Sequence, residues 1–298
     1  MASIPEPTLA FRQADGQSAA GADEPAAQTQ NDLQHKPGFF MPLNPRVTDW
    51  RNKRVWIVGA STGIGLALAE ALLARGARVA VSARKAEPLQ ALAAAHAGRA
   101  LALPLDVMSS EQQYSAWNNL TSEWGIADIV VYCAGYYHAM RADQFDLRDA
   151  LRHDDVNYRG ALITLSYVLP TMIAARGGAV ALVSSVAGYR GLPNSLAYGP
   201  TKAALTHMAE ALYMDLQPHG VAVHVINPGF VETPLTAQNR FKMPALITPA
   251  QAAEAIIRGF EKGEFEIHFP KRFTRWLKLM RHLPYRWYFA LTRRFTGL

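Results

Sequence analysis

Tyr198 and Lys202 stand four residues apart in Tyr198-Gly199-Pro200-Thr201-Lys202. On a helix that spacing puts both side chains on one face. A free phenol has a pKa of about 10, too high for efficient proton exchange near neutrality. An adjacent ammonium stabilises the phenolate and lowers that value. Taken alone, the pair could equally be two surface residues on a helix, so its neighbours along the chain decide its meaning.

A second group of residues is suited to holding phosphate. Gly59-Ala60-Ser61-Thr62-Gly63-Ile64-Gly65 follows the short apolar run Val55-Trp56-Ile57-Val58 and opens a helical pattern. Glycines allow a tight turn and close backbone approach, and a helix N-terminus offers free N–H groups and a partial positive charge. A glycine loop by itself is weak, but this one occupies the first strand-to-helix turn, where dinucleotides bind in doubly wound folds. An acid after the second strand would hold the ribose 2′-hydroxyl of NAD. Here the stretch reads Val81-Ser82-Ala83-Arg84-Lys85, and no carboxylate appears before Glu87. Arg84 can pair with a 2′-phosphate, which favours NADP(H).

The elements that must position these groups alternate. Strands are expected at 55–58, 78–82, 100–105, 128–132, 178–184 and 221–226, with a last helix and strand over 249–267. Helices are expected at 62–75, 88–96, from an N-cap at Ser109 to Trp124, at about 150–175 and at 197–216. Such alternation predicts an α/β fold: a doubly wound parallel sheet of Rossmann type, about seven strands with helices on both faces. Pro200 is tolerable if its helix starts nearby.

The chain resembles the short-chain dehydrogenase/reductase family over about residues 50 to 265. Gly59-x-x-x-Gly63-x-Gly65 is similar to the family's cofactor loop, and Asp106-Val107 to its adenine-contacting pair. Cys133-Ala134-Gly135 follows the fourth strand. Asn157 matches the family's helix asparagine, and Ser185 precedes Tyr198 by the usual interval. Asn227-Pro228-Gly229-Phe230-Val231-Glu232-Thr233 resembles the segment that holds the nicotinamide end.

That resemblance implies NADP(H)-dependent interconversion of a carbonyl and an alcohol. Tyr198 would exchange the proton, and Lys202 would lower its pKa and bond the nicotinamide ribose. Ser185 would polarise the carbonyl, and Asn157 would hold a water linking Lys202 to solvent. Ser61, Thr62, Ile64, Ala134, Gly135, Pro228, Gly229, Val231 and Thr233 would line the cofactor. Donors aimed at an oxygen that gains negative charge fit the same chemistry. The resemblance also implies a homodimer or homotetramer built through the two long helices. A non-catalytic NADP-sensing protein, recruited to a membrane by its tail, is the alternative. Tyr132 and Cys133 replace two asparagines common in the family, which suggests apolar packing in place of a hydrogen bond. Val58 likewise replaces a threonine.

The substrate side is expected to include Tyr136, Tyr137, His138, Tyr189, Leu192, Leu235, Phe241 and Met243. Aromatic and apolar, without an Arg or Lys cluster, it suits a lipophilic substrate in a fairly open cleft. No cluster has metal-site spacing.

Charge is uneven. The chain has 298 residues, 30 Lys or Arg and 24 Asp or Glu, a net charge of +6. Residues 271–298 hold eight of the cations and no acid, which leaves 22 cations against 24 acids elsewhere. Phe273, Trp276, Leu277, Met280 and Leu283 share a helical face there, Pro284 breaks the pattern, and Tyr285 to Leu291 repeats it. An anionic membrane surface and packing on the body fit this extension equally. Nucleic acid is not expected as a partner. The organisation expected is a disordered arm over 1–48, a catalytic domain over 49–268 and a basic amphipathic extension over 269–298. Met41 is a candidate start of translation. One cysteine, Cys133, and an acidic N-terminal region without an apolar run suit a cytoplasmic protein.

Overall fold

The computed structural model describes residues 41–239 and 243–296. The arm expected over 1–48 lies outside the described residues as far as residue 40. From Asn44 onward the chain is held against the body. The Asn44 amide donates to the Val223 carbonyl over 2.7 Å, and the Val47 N–H donates to the Phe260 carbonyl.

Seven strands form one parallel sheet: β1 (Arg54–Val58), β2 (Arg78–Ser82), β3 (Ala100–Ala102), β4 (Ile129–Tyr132), β5 (Ala179–Val183), β6 (Ala222–Pro228) and β7 (Glu266–Phe269). Their order is β3-β2-β1-β4-β5-β6-β7, and every pairing is parallel. Chain direction across the sheet reverses between β1 and β4, which opens a crevice at their carboxyl ends.

Both sheet faces are covered, so the strands read as continuous apolar runs. Helices α1 (Gly63–Ala74), α2 (Ala86–Ala95) and a later helix, Pro249–Lys262, bury one face, with Leu68, Leu72, Leu89 and Ile256 in its core. The other face carries α3 (Ser110–Trp124), α5 (Gly160–Ala174) and α6 (Tyr198–Leu216), around Trp56, Trp117, Leu120 and Leu205. Ser109 caps α3 by accepting from Gln112 N–H, as its position predicts. The later helix, α7, opens on a capping box between Thr248 and Gln251.

The long helix expected over 150–175 departs from regularity. It begins earlier, as α4 (Leu147–Asp154) capped by Asp146, then widens into a π-helical turn over Asp155–Arg159 before continuing as α5. A period of 3.6 residues cannot announce such a turn. It is one extra residue in the ladder, and these turns gather at functional sites.

Past β7 the extension folds into a helical hairpin, α8 (Lys271–Arg281) and α9 (Tyr285–Thr296), broken at Pro284 as the sequence predicts. Among the described residues no helix is long and apolar enough to cross a membrane.

Candidate active site

A cavity of about 1250 Å³ runs along the carboxyl ends of the strands. Its lining includes Gly59, Ser61, Thr62, Gly63, Ile64 and Gly65 from the first turn, and Arg84 and Lys85 after β2. Asp106, Val107, Ala134 and Gly135 follow β3 and β4, and Pro228, Gly229, Val231 and Thr233 follow β6. Ser185, Tyr198 and Lys202 line it too, whereas Asn157 is fully buried behind it.

The glycine turn is built for close approach. Gly59 and Gly63 have φ of +99° and +59°. A Cβ on Gly59 would collide with Ala134, and one on Gly63 would sit 2.9 Å from the Thr233 methyl. The free N–H groups at the start of α1, the glycine backbone and the neighbouring cations Arg84 and Lys85 make a cradle that fits the pyrophosphate and ribose of a dinucleotide. Both cations are exposed, and no ion pair engages either among the described residues. Among the described residues no group of three His, Cys, Asp or Glu is placed to hold a metal ion.

Tyr198 is the first residue of α6 and Lys202 lies one turn on. Pro200 therefore falls in the first turn, where its missing N–H has no helical partner to lose. The Ser185 oxygen accepts from the Ala187 N–H, and Ser185 lies close enough to the Tyr198 phenol to favour its ionised form. Ser184 fastens the end of β5 to α6 by donating to the Lys202 carbonyl over 2.6 Å. The Tyr137 ring packs edge-on against Tyr198, with centroids 5.0 Å apart.

The electrostatics differ from the expected tuning. Burial pushes the Tyr198 phenol up to about 12, although Ser185 pulls it partly back. Burial pushes the Lys202 amine down to about 8. The Lys202 Nζ lies 5.6 Å from the Tyr198 ring centroid and donates to the Val183 carbonyl over 2.9 Å. Burial is thus the largest influence on the phenol.

Asn157 sits in the π-helical turn. Its Oδ1 accepts from the Tyr136 N–H over 2.7 Å, and its Nδ2 donates to the Tyr136 carbonyl and to the Thr201 hydroxyl, each over 3.0 Å. It thus ties the segment after β4 to the first turn of α6. Tyr132 corrects the expectation of purely apolar packing: its hydroxyl donates to the Val156 carbonyl over 2.5 Å.

On the substrate side, Tyr136, Tyr137, Tyr189, Leu192 and Leu235 line the cavity as expected. His138 does not. It is exposed and paired with Asp149 over 3.0 Å. Met243 is also absent from the lining, within hydrogen-bonding reach of Asn239. Phe241 lies outside the described residues. The hairpin adds a wall that the expectation lacked, with Phe273, Trp276, Leu277, Met280, Tyr288 and Phe295 lining the cavity. The apolar face of α8 was legible in the sequence, but nothing local says that it closes over a cleft. Arg190, which holds the hairpin, carried no signal at all.

An open parallel α/β sheet with a glycine turn at its crevice and a Ser-Tyr-Lys group beside it defines a dinucleotide-dependent oxidoreductase. The model of the short chain dehydrogenase family matches residues 53–243, and the chain belongs to that family. It is 36% identical over 241 residues to an uncharacterized oxidoreductase of Myxococcus xanthus, covering 80% of this chain and 95% of that one. An uncharacterized oxidoreductase of Staphylococcus aureus (strain N315) is 30% identical over 202 residues, covering 67% of this chain and 87% of the relative. The crystal structure of a short-chain dehydrogenase from Streptomyces avermitilis superposes with a TM-score of 0.68 at 27% identity, over 76% of this chain and 92% of that one. Family membership makes this an oxidoreductase that uses a nicotinamide cofactor.

Proposed function

We propose that the protein is an NADP(H)-dependent reductase of carbonyl groups on apolar substrates, working also in reverse as an alcohol dehydrogenase. The observation that carries this is the convergence of Ser185, Tyr198 and Lys202 on the same cavity as the glycine turn. Arg84 and Lys85, without a carboxylate partner among the described residues, support a 2′-phosphate and hence NADP(H). Bound there, the cofactor supplies or accepts a hydride.

The chain's own groups handle the oxygen and its proton. Ser185 accepts from Ala187 N–H, so its single proton is available to the phenol or to a carbonyl oxygen. Tyr198, held protonated by burial, donates its proton to the oxygen that gains charge in reduction. Lys202 would bond the ribose of a bound cofactor and return a proton to Tyr198. A Cβ on Gly135 would lie 3.7 Å from Asn157 Oδ1 and 3.8 Å from Lys202 Nζ. Glycine there keeps the space between them open, which supports a proton-carrying water at that point.

The organisation proposed is a catalytic domain that begins at Asn44, ahead of the expected 49, and runs to 268, with the hairpin as its extension. Exposed Leu147, Leu151 and Leu162 along α4 and α5, with Met214 on α6, support pairing of subunits through the long helices. Analytical ultracentrifugation tests this.

The turnover test is NADPH oxidation across ketones, steroids and 3-oxoacyl thioesters, with Tyr198→Phe as control. Loss of at least about a hundredfold in the variant is expected for a proton donor. Cofactor binding without turnover of any carbonyl would instead favour an NADP-sensing protein.

A second reading concerns the outer face of the hairpin. Leu279, Tyr285, Trp287 and Phe289 are exposed among the cations of an acid-free segment. That combination supports contact with an anionic membrane surface. Sedimentation with phosphatidylglycerol vesicles should fall for Trp287→Ser combined with Phe289→Ser, and should be absent with phosphatidylcholine alone.

A further inference from the structure

We infer that the hairpin α8–α9 selects substrates carrying a long hydrocarbon chain, and that Arg190 is the positioning residue that sets this wall. The inference rests on the reductase reading above and specifies its substrate. The hairpin side chains in the cavity are apolar or uncharged: Phe273, Trp276, Leu277 and Met280 from α8, Tyr288 and Phe295 from α9. Thr292 and Thr296 add two hydroxyls and Arg190 itself lines the cavity, but the hairpin's share of the lining carries no charge and is mostly hydrocarbon and ring surface, on which an apolar group gains by resting. Trp276 and Phe295 meet edge to face, with centroids 5.2 Å apart, and both are partly exposed. They form a rim beneath which a chain can pass. Phe273 packs on Gly229 and on the Phe230 ring, 5.8 Å between centroids, so the wall begins beside the segment after β6.

The wall is held from the catalytic loop. Arg190, five residues after Ser185, donates through one guanidinium nitrogen to the carbonyls of Met280, Arg281 and Leu283, at 3.2, 3.1 and 2.7 Å. The first two of these belong to the C-terminal turn of α8, whose partial negative charge favours a cation. The same guanidinium lies over the rings of Tyr285 and Tyr288, at 4.6 and 4.1 Å from their centroids. The Tyr288 hydroxyl donates to the Gly191 carbonyl over 2.7 Å. Moving Arg190 therefore moves both helices relative to Ser185. A second anchor, Lys278 to Glu266, secures α8 to β7.

The test compares kcat/KM for dodecanal and propanal with NADPH. Arg190→Ala should lower the dodecanal-to-propanal ratio by on the order of tenfold or more, chiefly through the KM for dodecanal. Arg190→Lys keeps a cation with several donors but loses the planar guanidinium that lies over Tyr285 and Tyr288, so it should fall between the wild type and Arg190→Ala. An equal loss for both aldehydes, or an unmoved ratio, overturns the inference. If Arg190→Ala does not fold by circular dichroism, Trp276→Ala carries the same expectation with the clamp intact. If the wild type reduces neither aldehyde, the reductase reading fails for them, and the wall is judged by binding alone. Dodecanol should then shift the Trp276 emission, with Trp276→Phe as blank, in the wild type and not in Arg190→Ala. No shift in the wild type overturns the wall.

Discussion

The Tyr132 hydroxyl donates to the carbonyl of Val156, one residue before Asn157 and inside the π-helical turn. The ring lies over Gly160, where a Cβ would collide with that hydroxyl. A strand-end phenol and a helix glycine are therefore fitted to each other, and the turn that presents Asn157 is fixed between them. Tyr132→Phe should remove this bond and cost about 0.5–1.5 kcal/mol in urea unfolding. Gly160→Ala should cost more, and the double variant less than the sum, because removing the hydroxyl removes the collision. Strict additivity would show that the two residues are not coupled.

Arg84 supplies the test of cofactor choice. Arg84→Asp should lower the NADPH-to-NADH preference in kcat/KM by on the order of tenfold to a hundredfold, the worth of a charge-assisted bond plus a new repulsion. An unmoved preference would remove Arg84 from the 2′-phosphate.

The phenol pushed up to about 12 makes the two reaction directions differ in pH dependence. Reduction needs protonated Tyr198, which predominates throughout the neutral range. Oxidation needs the phenolate, whose fraction grows as pH rises toward 12. Alcohol oxidation should therefore rise between about pH 7 and 10, and carbonyl reduction should not. Profiles of kcat/KM in both directions check this, and a flat oxidation profile would contradict it.

His224 sets an acid limit on stability. Burial pushes its imidazole down to about 4, while its Nδ1 bonds the Glu264 carbonyl over 2.7 Å. The unfolded chain protonates this ring from about pH 6.5, and the folded chain resists until about 4. Stability contributed here is full above the unfolded value, is lost as pH falls through that window, and changes no further below it. The loss is about 3 kcal/mol. His224→Gln should flatten this part of the thermal-unfolding profile. An identical slope in the variant would assign the loss to carboxylates.

The sheet, the glycine turn and the Tyr198-Lys202 face were legible because each has a local period or spacing. The π-helical turn was not, since Asp155 to Arg159 keep ordinary helical composition and only the Tyr132–Gly160 fit reveals the widening. The tuning of Tyr198 was legible only in part: spacing reports the neighbouring ammonium but not how completely the phenol loses water. The hairpin was read correctly as two amphipathic helices, but its covering of the cavity depends on Arg190, distant in sequence and unmarked by any motif.

Asn44 reaches β6, and its own N–H donates to the Gly263 carbonyl at the end of α7. A cut between Asn44 and Trp50 frees a strip that shields the His224 side of the sheet, and digestion should then proceed inward from β6 and β7.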